Sequence, residues 1–138
     1  MVSSGLKLIN PAGLYDPSQH SYTQIALAPP GGTMVYISGQ GGQDENGNLV
    51  PDFAAQVKQA FANLRTALSA ASAGSEHVVK ITVLVVEYNE AKHQQLKAQV
   101  QAMWGNQPPA STLIPVPRLA LDGMLFEIDA MAVIPVKQ

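Results

Sequence analysis

The sequence has no cysteine, which excludes disulfides, thiolate metal sites and a cysteine nucleophile. Charge is also scarce: Asp, Glu, Lys and Arg make up 13% of 138 residues, about half the usual share for a soluble domain. A chain so poor in charge is expected to hide part of its surface against another subunit. The eight Lys and Arg form no basic run and the formal charge is −2, so nucleic-acid binding through phosphate neutralisation is not expected. The longest purely aliphatic run, Val83 to Val86, is far too short to cross a bilayer, and no membrane association is expected. Met1 to Leu6 has no basic segment leading into an apolar one, so no secretory signal is visible and a cytoplasmic location is expected.

What is present suits one domain, residues 1–138, with 46% hydrophobic residues to supply a core. Leu6 to Ile9 reads as a short edge strand. Tyr22 to Ala28 and Met34 to Gly39 read as strands joined by the turn Pro29-Pro30-Gly31-Gly32. A second turn follows at Asp44 to Asn48. Asp52 reads as the N-cap of a helix whose apolar positions Phe53, Val57, Phe61, Leu64 and Leu68 recur at helical spacing, with Gly74 as its stop. Val78 to Tyr88 is the clearest strand, with Val79, Ile81, Val83 and Val85 on one face. Asn89 reads as the cap of a second helix carrying Leu96, Val100, Met103 and Trp104 inward and ending at Gly105-Asn106. Strands near Thr112 to Val116 and from Met124 to Ile134 complete a β-β-α-β-α-β-β order. That order predicts an α+β fold, a mixed sheet with both helices packed on one face. The other face is left bare, which predicts oligomerisation.

The last strand places Phe126, Ile128, Ala130, Ala132 and Ile134 toward the helices. Leu125, Glu127, Asp129, Met131 and Val133 then share the bare face. Two carboxylates on a face covered by a partner are costly unless hydrogen-bonded or functional. Pattern alone favours hydrogen bonding across an interface. Ser38-Gly39-Gln40-Gly41-Gly42 ends a strand, where its glycines would let a ligand approach the backbone closely; it lacks the third glycine and following helix of a dinucleotide fingerprint, and turn chemistry is the favoured reading. His20, His77 and His93 show no metal-ligand spacing, and His93 is expected to be solvated. Tyr22 and Trp104 read as packing residues.

Taken together, several blocks resemble the RidA/YjgF family, the reactive intermediate deaminases, also labelled endoribonuclease L-PSP. They are Val35 to Gln40, Phe53 to Leu68, Val79 to Val83 and the segment PPASTLIPVPRLALDGMLFEIDAMAV from Pro108 to Val133. The resemblance implies a chorismate-mutase-like α+β fold, assembled as a homotrimer with small-molecule ligand sites in the inter-subunit clefts. It implies hydrolysis of imines and enamines to an oxo compound and ammonia, without metal or organic cofactor. By position, Glu127 matches the acid credited with the proton transfers. Tyr22, Ser38, Gly39 and Asn89 match residues around the ligand. Ser111 stands where the deaminase members carry an Arg that grips the substrate carboxylate, and Leu113 stands where they often carry Cys. Losing such a bidentate contact costs roughly 2–5 kcal/mol. Arg118 matches a second, structural Arg, and Arg65 is expected to be remote from the cleft. Two readings follow: an imine deaminase without the usual carboxylate anchor, or a non-catalytic trimer that binds a small metabolite in the cleft. The endoribonuclease label finds no basic groove to support it.

Overall fold

The computed structural model describes residues 4–137. The first three residues of the segment read for a secretory signal therefore lie outside the described residues. The chain forms β1 (Lys7–Ile9), β2 (Ile25–Leu27), β3 (Thr33–Gln40), α1 (Phe53–Ala70), β4 (Val78–Val86), α2 (Glu90–Trp104), β5 (Ala110–Val116) and β6 (Phe126–Ile134). Four strands make a mixed sheet in the order β3-β6-β4-β5, while β1 and β2 pair as a separate antiparallel ribbon. The expected parallel pairing exists once, between β4 and β5, across the α2 crossover. The α1 crossover does not place its strands side by side. β6 enters between β3 and β4, antiparallel to both.

Both helices contribute to one core on one face of the sheet, as the apolar periodicity predicts. All five expected inward positions of α1 are buried, and they pack with Ile81, Val83, Val85, Phe126 and Ile128. Phe126 stacks on Phe61 at 6.2 Å between ring centroids and meets Phe53 edge-on at 6.0 Å. Asp52 Oδ2 accepts from the Ala55 amide at 2.9 Å, the N-cap that the sequence signals. Trp104 packs against the core and donates through Nε1 to the Ser75 carbonyl.

Three details differ from the sequence reading. α1 ends at Ala70 rather than at Gly74: Ser72 takes the left-handed conformation (φ 61°) and the Ala73 amide closes back on the Leu68 carbonyl. That is the C-terminal motif for which glycine is the usual residue, here served by serine. In β4 the register shifts between Val78 and Lys80, so Val78 is the inward residue and Val79 is only half-buried. An added residue in a strand reverses the alternation on one side of it. Val133, expected on the bare face, is buried, with Gly32 close against its side chain.

The remaining sheet face carries exposed apolar side chains. Met34 and Tyr36 on β3, Met131 on β6 and Ile114 on β5 all lie there, and Tyr36 is 71% exposed. No helix among the described residues is long and apolar enough to cross a membrane.

Candidate functional site

Glu127 lies on β6 directly opposite Leu84 of β4, on the sheet face away from the helices. It is half-buried, and among the described residues its carboxylate has no hydrogen-bond or ion-pair partner. Its neighbour Asp129 differs, accepting from the Thr82 amide at 3.2 Å. The Glu127 side chain runs across Gly39. A methyl group there would lie 1.7 Å from Oε1 and 2.6 Å from Cδ. Gly39 is therefore required by close approach, and neither turn chemistry nor a ligand against the backbone is needed to explain it. It sits where β3 breaks register with β6, between Ile37 and Gln40. Ser38 is exposed beside it, its carbonyl accepting from Gln40 Nε2.

Helix α1 holds both sides of this pair. Asn63 Nδ2 donates to the Gly41 and Gln43 carbonyls at 3.0 and 2.8 Å, fixing the chain that leaves β3. Gln56, fully buried, donates to the Val50 and Gly123 carbonyls at 2.8 and 2.9 Å, and its Oε1 accepts from the Leu125 amide at 2.8 Å. Beyond Gln43, the turn read at Asp44 to Asn48 forms. The Asn48 amide, followed by the Asn46 amide, holds the Asp44 carboxyl below the usual carboxylate range. Gly39→Ala tests the carboxylate's position. The clash is with a flexible side chain, so stability is expected to change by less than about 1 kcal/mol. The carboxylate is expected to move by about 1 Å or more, enough to cost on the order of a hundredfold in a positioned reaction. A crystal structure and melting curve of the variant read both.

A second group assembles elsewhere. A groove of about 790 Å³ lies between α2, the 15–22 loop and the open edge of β5. Tyr22 and Ser111 both line it. Thr23 joins them: its amide donates to the Pro109 carbonyl at 3.1 Å, its hydroxyl donates to the Pro108 carbonyl, and it bridges Ala110 in parallel. Tyr22 thus lines a ligand-sized groove, beyond the packing role that base rates assign it. Ser111 pairs with Ile81 and Leu113 with Val83, so both side chains take the helix-side face of the sheet.

The six positions therefore fall into separate places. Gly39 meets Glu127, and Tyr22 and Ser111 line one groove. The two pairs occupy opposite faces of the sheet within one protomer. Asn89 is occupied as the cap of α2, its Oδ1 accepting from the Lys92 amide at 2.8 Å, and its neighbours Tyr88 and Glu90 line the groove instead. Arg118 forms an exposed ion pair with Asp122 and donates to the Leu119 carbonyl, while Arg65 is exposed on α1. His93 corrects the sequence reading: its side chain is 20% exposed, lines the groove and stands edge-on to Tyr88. The sequence does not single out Lys97, four residues on, and His20, weighed there only for metal spacing, lines the same groove. The spacing of 93 and 97 puts them on one helix face, but which loop covers that face is not a local property. Among the described residues no group of three or more His, Asp or Glu could hold a metal ion.

A family model described as Endoribonuclease L-PSP matches residues 15–134. RutC family protein YjgH of Escherichia coli is 32% identical over 126 residues, covering 91% of this chain and 92% of that protein. A 2-iminobutanoate/2-iminopropanoate deaminase of Capra hircus is 37% identical over 116 residues, covering 81% and 79%. The solved structure of the Rid-family protein YyfB of Yersinia pestis, a protein of unknown function, superposes with a TM-score of 0.87 at 32% identity, covering 94% of this chain and 98% of that one.

Proposed function

Because the chain belongs to the RidA/YjgF family, we propose that it hydrolyses imines or enamines to an oxo compound and ammonia. The observation that carries this reading is the unpartnered Glu127 carboxylate laid over Gly39. A carboxylate with no internal partner is free to take a proton from water as the water oxygen bonds to the imine carbon. That proton passes to nitrogen as the C=N π bond opens to a carbinolamine; the carboxylate then moves the carbinolamine hydroxyl's proton to the same nitrogen as the carbon–nitrogen bond breaks and C=O forms, so that imine plus water gives the oxo compound plus ammonia. Relatives such as the Capra hircus protein carry the name of such a deaminase.

One protomer does not bring the Tyr22–Ser111 pair to the Glu127–Gly39 pair. The proposal therefore includes a homotrimer whose clefts take one pair from each of two neighbours, with the apolar sheet face turned inward. Exposure of Met34, Tyr36, Ile114 and Met131 on that face supports it. The experiment supplies 2-iminopropanoate, generated in situ by an amino-acid oxidase, and follows ammonia. Acceleration over buffer is the expected result. Ser111→Arg adds a guanidinium to the groove and is expected to lower KM for this small acid about tenfold. An unchanged KM would show that the carboxylate is already gripped elsewhere.

A second reading, binding of a metabolite without turnover, is favoured by one observation: Ser111 offers only a hydroxyl at the groove wall. No acceleration with any of several imines and enamines, together with a ligand-induced rise in Tm that Glu127→Ala weakens, would establish it.

A further inference from the structure

The groove beside α2 has a composition at odds with the rest of the chain. The molecule is acidic overall, yet this one groove collects Lys97 and two of the three histidines, His20 and His93. Its single carboxylate, Glu90, is 79% exposed at the rim and already accepts from Gln94 Nε2 at 3.0 Å. Lys97 and Glu90 offset each other in formal charge, so what the groove offers an anion is the hydrogen-bond donors of Lys97 and the histidine rings.

These nitrogen groups differ in what they have left to give. His20 Nε2 is engaged with the Tyr15 hydroxyl at 2.6 Å. Lys97 Nζ donates to the Gln19 carbonyl at 2.6 Å, which uses one of an ammonium's three donors and leaves two. His93 Nδ1 stands 3.9 Å from Glu90 Oε1, beyond a hydrogen bond. Lys97 and His93, one turn apart on α2, are the pair able to take up a carboxylate.

The rest of the groove is apolar. Leu96 and Val100 of α2, and Ile81, Val83 and Leu113 of the sheet, line it, with the rings of Tyr15, Tyr22 and Tyr88. At about 790 Å³ it is in the range of sites that enclose ligands of many atoms, and more than a three-carbon acid fills. Apolar lining gains from an apolar occupant at about 25 cal/mol per Å² removed from water.

We propose that this groove selects an organic acid with a bulky apolar or aromatic body, whose carboxylate Lys97 and His93 hold. The proposal rests on the reading of the Tyr22–Ser111 groove as part of the ligand site, and it names the ligand class. The body lies against Leu113 and the tyrosine rings.

The test is calorimetric titration of the full-length protein with three probes. Phenylpyruvate has ring and carboxylate, phenylacetone has the ring alone, and pyruvate has the acid alone. Phenylpyruvate is expected to bind at least tenfold more tightly than either of the others. Lys97→Met is expected to weaken phenylpyruvate about tenfold and leave phenylacetone unchanged, Lys97→Arg to restore it, and His93→Gln to weaken it less. A lysine that only tethers the loop to α2 would lower both ring-bearing probes alike, and that result overturns the proposal. So does equal binding of phenylpyruvate and phenylacetone by the unaltered protein, which needs no variant to fold. Charge-blind binding alongside ammonia release from imines would sink this inference alone. Charge-selective binding without ammonia release would sink only the hydrolase.

Discussion

Glu127→Gln is expected to lower imine hydrolysis by a factor of about 10²–10⁴, the range for loss of a positioned proton-transfer group. The amide keeps the shape of the carboxyl group and its place across Gly39 but neither takes nor returns a proton. Because the carboxylate has no partner to lose among the described residues, stability should stay within about 0.5 kcal/mol of the parent. That combination makes the variant diagnostic. A structural role predicts the reverse: a shifted melting temperature and an unchanged rate. Ammonia release under saturating imine, with urea unfolding of the same preparation, distinguishes them. Activity within a factor of about three of the parent would remove Glu127 from the chemistry.

Gln56→Leu is expected to lower stability by roughly 3–5 kcal/mol. Gln56 is fully buried and satisfies three backbone groups at once, the carbonyls of Val50 and Gly123 and the amide of Leu125. Leucine has nearly the same volume, so no cavity confuses the result. What remains is three polar groups that lose their partner away from water, each worth about 1–3 kcal/mol, partly relieved by relaxation of the two loops. The urea midpoint should fall with the slope unchanged. Leu125 stands two residues before Glu127, so the variant should also lose activity at temperatures where it stays folded. A loss below about 1 kcal/mol would mean that the loops find water instead.

The sequence identified α1 by its spacing, because a helix must turn one apolar stripe inward whatever it packs on. Asp52 and Asn89 were legible as caps, because capping is settled within four residues. Glu127 was legible as an unusual acid, because alternation along β6 is equally local. Gln56 was not: it reads as one more polar residue in a Gln-rich turn, and only the fold places Val50, Gly123 and Leu125 around it. The bulge in β4 was hidden for a related reason, since an unbroken apolar run fits either register. His93 was misjudged because its surroundings come from the 15–22 loop, more than 70 residues away in sequence.

By itself, then, the sequence determined the α+β class, the helix faces and N-caps, and the presence of an acid on the bare face of the last strand. Each follows from residue spacing and short-range hydrogen bonding. Only the tertiary structure decided that β6 separates β3 from β4, that Gly39 gives room to Glu127, and that Ser111 and Glu127 point to opposite sides of one sheet. Those are properties of strand order and register, set by contacts between segments far apart in the chain, where local periodicity carries no information.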